Sequence, residues 1–343
     1  MVEMSSRERM DAALHFRECD RVPVFPLYHY SSTRVSGILI GKYATDAETM
    51  AESLIAAFKF MEIDGVSTGA DVSIEGEACG SIVHQPKDEP AYLLEPVIKK
   101  HSDLDCLEVP DPDKAGRMPV IIKATNICKK TIGNEAYIEA CVMGPMNLAS
   151  QLRGVENLMF DIIEEPGFFN RLLDFSLNVS LRFAKRLIDA GADQILAGEA
   201  LCSPNFISPS IYKEHIQPRQ KIWVQTLKEY GANSTLIHVC GDISTILEGL
   251  GATGTTCLDV DSNTSMALAK KKSGCAVRGN IDPSAVLLKG TEEDVKIAAK
   301  AVLDEAKDGY GMLLGSGCDV SPATPLENVK MLVTASKLYG RYS

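Results

Sequence analysis

"DQILAGEALCSPNFISPSIYKEHIQPRQKIWVQTLKEYGANSTLIHVC", Asp193 to Cys240, holds two apolar runs of strand length with an amphipathic segment between them. The runs are Asp193–Glu199 and Thr235–Cys240, and the segment from Ser208 stops at Gly231, a residue suited to ending a helix. Two strands joined by a helix of this length run parallel, because a hairpin turn could not connect them. The same unit recurs along the chain. Strand-like runs begin at Val22 ("VPVFPLY"), Gly65 ("GVST"), Ala136 ("AYIEACV"), Thr255 ("TTCLDV"), Ala276 ("AVRGNI") and Met312 ("MLLGSG"), which brings the number to eight. Helical patterns lie between them, with Asp46 and Thr291 placed to cap N-termini and Gly191, Gly231 and Gly309 placed to end helices.

Eight alternations favour a (β/α)8 TIM barrel over an open doubly wound sheet. At 343 residues the expected organisation is a single barrel domain over 1–343. The irregular stretch "SIVHQPKDEPAYLLEPVIKKHSDLDCLEVPDPDKAG", Ser81–Gly116, reads as a hairpin and loop inserted after strand two, over one face of the barrel. The N-terminal "SSRERMDAALHF" reads as an amphipathic helix under the barrel.

The net charge of −11 disfavours nucleic acid or an anionic membrane as the main partner, since both require a basic surface. No run of about 18 apolar residues is available to span a bilayer. The first residues lack the apolar core and cleavage site of a signal peptide, so a soluble cytoplasmic protein is expected. Ten cysteines without paired spacing are, in a reducing compartment, mostly small core residues.

Within a strand, residues i and i+2 face the same side, so His238 and Cys240 in "LIHVCGDIS" can meet at one point. Active sites of (β/α)8 barrels lie at the carboxyl ends of the strands. Those ends carry Asp71, Glu199, His238 with Cys240, Asp259 and Asp261, Asn280 and Asp282, and Cys318 with Asp319. Cys318 follows a Gly-Ser-Gly on the eighth strand, roughly across the mouth from the fifth. Two thiolates and an imidazole converging there suit zinc, and three protein ligands leave the open position of a catalytic site. Glu199, Asp71, Asp259 and Asp261 are each candidates for a fourth ligand, an orienter of His238 or a helix cap, with Glu199 preferred. The glycine-rich "GATGTTC" and "GSGCDVS" lack the context of a phosphate loop, and no Ser sits in a G-x-S-x-G elbow.

"RERMDAALHFRECDRVPV", "GNIDPSAVLLKGT" and "GCDVSPATPLENVKMLV" resemble signature segments of the uroporphyrinogen decarboxylase superfamily, over about Arg7 to Leu338. That resemblance implies a (β/α)8 barrel. The decarboxylases carry an arginine-rich motif after strand one that clamps a polycarboxylate substrate. Here the place reads "FPLYHYSSTRVSGI", with Arg34 alone, although Asp71 matches their catalytic aspartate. The His-x-Cys…Cys set instead resembles the zinc-dependent methylcobamide:coenzyme M methyltransferases of methanogenic archaea.

Carried over, the resemblance implies zinc on His238, Cys240 and Cys318, a corrinoid-carrying partner protein as methyl donor, and coenzyme M or a similar small thiol as acceptor. Zinc-bound thiolate would attack the cobalt-bound methyl group, giving the methylated thiol and cob(I)amide. Two Cys ligands cancel the charge of the metal and leave the substrate sulfur electron-rich. Asp71 and Glu199 are candidate substrate-binding residues beside it, and Asn147, Arg153 and Arg278 are candidates for the sulfonate tail. A porphyrinogen-type lyase, methyl transfer to tetrahydrofolate and a corrinoid-binding chaperone are the alternatives.

Overall fold

A computed structural model describes residues 3–342 of the chain. Its main sheet has seven strands, all parallel: β1 (Gly65–Thr68), β4 (Tyr137–Met143), β5 (Gln194–Gly198), β6 (Ser234–Val239), β7 (Cys257–Val260), β8 (Ala276–Ile281) and β9 (Met312–Ser316). They neighbour one another in that order, each parallel step made by a crossover that contains helix. A separate antiparallel pair, β2 (Ile82–His84) with β3 (Tyr92–Glu95), lies between β1 and β4 in sequence and exposes Ile82, Tyr92 and Leu94. The sheet is curled and covered by helices, an α/β arrangement of the TIM-barrel kind.

The run at Val22 departs from expectation. It is not a regular strand but makes one parallel bridge, Val24 to Leu314. Phe25 N donates to Leu314 O (2.8 Å), Leu314 N to Pro23 O (2.9 Å) and Asp64 N to Val24 O (2.8 Å). The segment therefore touches both β9 and the entry to β1. Pro23 and Pro26 have no amide hydrogen, so a continuous ladder cannot form there.

Helix boundaries follow local chemistry. Asp46 accepts from Thr49 N and starts the helix Ala47–Met61, while Thr291 and Asp294 form a reciprocal capping box before Glu292–Ala306. The helix Gln217–Tyr230 ends on Gly231 in the left-handed conformation.

The space inside the curl is layered, because alternate residues of each strand point inward. The lowest layer is apolar. Leu196, Leu236, Ala276 and Leu313 pack there with Phe25 and Tyr137, and Met10 and Leu14 of the helix Ser6–Leu14 close it from below. Two residues further along their strands come Glu139 and Arg278, and with them Ser67 of β1 and Asp259 of β7, all buried and paired in the interior. His238 lies in register with Asp259, and Cys240 and Cys141 sit at or near the carboxyl ends of β6 and β4, where the site is built.

Candidate metal centre and cavity

His238 is the fifth residue of β6 and Cys240 the first after it; both belong to the inward series that begins with Leu236. Gly241, at φ 81°, turns the chain away at once, and its N–H donates to Asp261 Oδ2 at 3.0 Å. Cys318 arrives from the end of β9. The residue before it, Gly317, passes so near the loop after β7 that a Cβ there would stand 2.7 Å from Ser262 N. Only glycine lets the chain lie that close, and the closeness brings Cys318 to the site.

The three donor atoms form a compact triangle. His238 Nε2 lies 3.2 Å from Cys240 Sγ and 3.7 Å from Cys318 Sγ, and the two sulfurs are 4.0 Å apart. All their ligand atoms fall within 4.8 Å of one another. A tetrahedral zinc, with bonds of about 2.3 Å to sulfur and about 2.1 Å to nitrogen, sets such donors about 3.5–3.8 Å apart. The observed edges therefore fit that ion, and so does the donor chemistry, two soft sulfurs and one imidazole.

The surroundings fix the ring. Asp259 Oδ2 lies 2.8 Å from His238 Nδ1, although the N–H is not aimed squarely at it, and Asp259 Oδ1 takes Arg278 Nε at 2.6 Å. The register aligns His238 with Asp259 and Asp259 with Arg278 on successive strands. Burial alone would lower the imidazole pKa, but Asp259 and Cys318 outweigh it and raise it to about 10. Burial would raise that of Asp259; Arg278 and His238 outweigh it and hold the acid below its usual value. The two thiols share one hydrogen bond. It lowers Cys240 against the opposing effect of burial and, together with burial, raises Cys318.

These three residues open onto a cavity of about 330 Å³ whose walls are largely apolar, including Leu27, Ile74, Ile121, Phe183 and Leu196. Asp71 and Asn147 line it as well, and among the described residues no Arg or Lys does. Asp71 is already tied: Arg117 holds it through Nη1 (2.6 Å) and Nη2 (3.1 Å), and Tyr30 Oη donates to it at 2.9 Å. Asn147 Oδ1 accepts from Leu201 N at 3.0 Å.

Other expected residues lie elsewhere. Glu199 is fully buried behind the cavity wall, where it accepts from Met146 N (3.1 Å), Asn147 N (3.2 Å) and Gln220 Nε2 (3.3 Å). It caps the helix Pro145–Arg153, and burial raises its pKa to about 7. Arg153 points away from the cavity and pairs with Asp161 at 2.7 Å, so it does not stand where a tail would lie. Arg278 is also out of reach: it is fully buried, pairs with Glu139 (2.9 Å) and Asp259, and lies over the Phe25 ring. Asp261 is used by the turn amides of Gly241 and Asn263. Among the described residues, none of the four carboxylates considered as a fourth ligand joins the His238, Cys240 and Cys318 set.

Further polar groups line the cavity, among them His29, Cys141 and Glu75. Glu75 accepts from Met143 N at 2.6 Å, and burial raises its pKa to about 7. His29 follows the first apolar run, so the strand-end rule that selected His238 could have selected it too. Cys141 could have been found the same way at the third run. Glu75 lies on a helix and carried no such signal.

Comparison with known proteins agrees with this architecture. The uroporphyrinogen decarboxylase (URO-D) family profile matches residues 5–339. A methylcobamide:CoM methyltransferase MtaA of Methanosarcina barkeri (strain Fusaro) is 30% identical over 349 residues, covering 99% of both chains. An MtbA enzyme of the same description from Methanosarcina mazei is 29% identical over 345 residues, again with 99% of both chains covered. A solved methyltransferase structure from Methanosarcina mazei superposes with a TM-score of 0.90 at 26% identity, over 98% of this chain and 99% of that one. The chain belongs to the uroporphyrinogen decarboxylase family, and these relatives stand on its methyltransferase side.

Proposed function

We propose that this protein is a methyltransferase that moves a methyl group from a methylated corrinoid, carried by a partner protein, to the sulfur of a small thiol, with coenzyme M as the first candidate. The observation that carries the reading is the triangle of His238 Nε2, Cys240 Sγ and Cys318 Sγ at the mouth of the cavity. We assign a zinc ion to these three residues. Bound there, zinc would make a coordinated thiol release its proton and stay a nucleophile at neutral pH.

The chain's own residues do the rest. Cys240 and Cys318, as two anionic ligands, balance the metal charge and leave the acceptor sulfur electron-rich. Asp259, fixed by Arg278, holds His238 with Nε2 toward the thiols. The apolar walls exclude water from the acceptor and hold it in place. Asn147 is the neutral polar group at hand for the acceptor's tail, and Asp71, tied by Arg117, forms a fixed acidic edge. Among the described residues the lining holds no Arg or Lys, which speaks against a polycarboxylate substrate, and so against a porphyrinogen-type lyase. Transfer to tetrahydrofolate would not require the His/Cys/Cys set.

We read the segment 22–27 as the stave that completes an eight-membered barrel, and residues 1–343 as one domain. The exposed hairpin beside the cavity is then the inserted lid-like element after the second stave. No helix among the described residues is long and apolar enough to cross a membrane, and we place the protein in the cytoplasm.

The test is zinc content together with transfer from methylcobalamin to coenzyme M. About one zinc per chain with thiol-dependent demethylation supports the reading. A folded, anaerobically prepared protein that neither binds zinc nor demethylates the donor overturns it.

A further inference from the structure

The same cavity holds a second sulfur centre that the methyl-transfer reading does not use. Cys141, near the end of β4, has its Sγ 3.2 Å from His29 Nε2, and His29 Nδ1 lies 3.4 Å from Asp319 Oδ1. All three line the cavity. Ser32 Oγ holds the His29 carbonyl at 2.6 Å. Gly69 leaves the pair room, since a Cβ there would stand 3.1 Å from Cys141 Cβ.

The neighbouring groups suit a proton on the ring. Ser67 Oγ donates to Glu139 Oε1 at 2.6 Å, and Glu139 is an acceptor held by Arg278. Toward His29 Nε2, at 3.0 Å, the Ser67 oxygen can then only accept, so Nε2 carries a hydrogen. Nδ1 lies 3.4 Å from the Asp319 carboxylate. With the thiol proton passed to the ring, His29 is an imidazolium beside the Cys141 sulfur, which also lies 3.2 Å from Ser67 Oγ. Electrostatics agree: burial opposes the charged ring, but Cys141 and Asp319 outweigh it and hold its pKa well above the usual histidine value. A sulfur that faces an imidazolium backed by a carboxylate is the arrangement of an activated cysteine nucleophile.

We propose that Cys141 is a reactive thiol, activated by His29 and Asp319, that captures low-molecular-weight dialkyl disulfides entering the cavity. The Cys141 sulfur attacks one sulfur of the disulfide, and a new S–S bond forms as the old one breaks. Cys141 is oxidised to the mixed disulfide, and the departing sulfur is reduced, leaves with the electron pair and takes a proton from His29 Nε2. A thiol reverses the step by the same exchange. The cavity, at about 330 Å³, admits a disulfide of small alkyl thiols, and the adduct would occupy the space proposed for the acceptor. This inference goes beyond the methyl-transfer reading and does not rest on it.

The experiment is to treat zinc-supplemented, full-length protein with bis(2-hydroxyethyl) disulfide and follow adduct formation at each cysteine by peptide mass mapping. Exposed Cys106 serves as the internal reference. The expected result is that Cys141 reacts about tenfold or more faster than Cys106 although it is half-buried, that dithiothreitol removes the adduct, and that His29→Asn brings the rate to or below that of Cys106. Asp319→Asn, at a half-exposed position that bears little on folding, should slow the reaction several-fold. Reaction no faster than at Cys106, or a rate unchanged in both variants, overturns the proposal. Adduct formation is read without any methyl transfer, so loss of the zinc reading would leave this result standing.

Discussion

Asp259 stands between two buried partners, with Oδ2 2.8 Å from His238 Nδ1 and Oδ1 2.6 Å from Arg278 Nε. Arg278 in turn binds Glu139, which accepts from Ser67. An ionic chain thus crosses the interior beneath the cavity and ends at the imidazole of the proposed metal centre. Replacing Asp259 with Asn removes the charge but keeps the size. Zinc affinity should fall by about 10–100-fold, the usual effect of losing such an orienting carboxylate, with the fold retained. Competition against a chromophoric chelator measures it; unchanged affinity would make Asp259 a partner of Arg278 alone.

Arg278→Met tests the middle of that chain. It leaves Glu139 and Asp259 buried without their cation, a loss of roughly 3–5 kcal/mol when one partner of a buried pair is removed. Urea unfolding should show the loss in the midpoint. A drop below about 1 kcal/mol would mean that the two acids find protons or water at low cost.

Cys318→Ala should reduce zinc from about one per chain to a small fraction and abolish methyl transfer, with the far-UV circular dichroism unchanged. Cys318 lies beyond β9 and is only partly buried, so its loss leaves the apolar layers intact. Full turnover in this variant would remove Cys318 from the site.

Glu75 gives a pH-dependent signature. Its folded pKa, raised to about 7 by burial, lies above the unfolded value near about 4.3, so the folded state binds more protons between them. Stability conferred by the neutral carboxyl is therefore present below pH about 4.3 and is lost as pH rises toward 7. Glu75→Gln keeps an acceptor for Met143 N without titrating, and should gain stability relative to the parent across that window. Unfolding free energies at pH 5 and 7.5 measure the difference. Glu199, buried with a similar shift, should still cause a residual decline in the variant.

Much of this was legible before the structure. Seven apolar runs of strand length identified β1 and β4–β9, because a sheet covered on both faces selects continuous apolar strands. The i, i+2 spacing put His238 and Cys240 on one side, and position at a strand end singled out Cys318 from ten cysteines. The run at Val22 was apolar enough to read as a strand, but its prolines allow only a single bridge.

The arginines show where sequence reading stops. Arg153 at a helix end and Arg278 within a strand both looked free to meet an anion; Arg153 is taken by Asp161, and Arg278 by Glu139 and Asp259. The Arg278–Glu139 pair joins residues 139 positions apart. Glu199 likewise looked like a ligand and is a buried helix cap.

The sequence by itself determined the alternation of strands and helices, the inward face of each strand and the chemistry available at the rim, because these follow from local periodicity and side-chain type. Only the tertiary structure decided which charges neutralise each other, that Gly317 brings Cys318 to His238 and Cys240, and that His29 and Cys141 share their cavity. Those outcomes depend on the register between strands distant in sequence, and a shift of one residue would turn every one of these side chains to the other face.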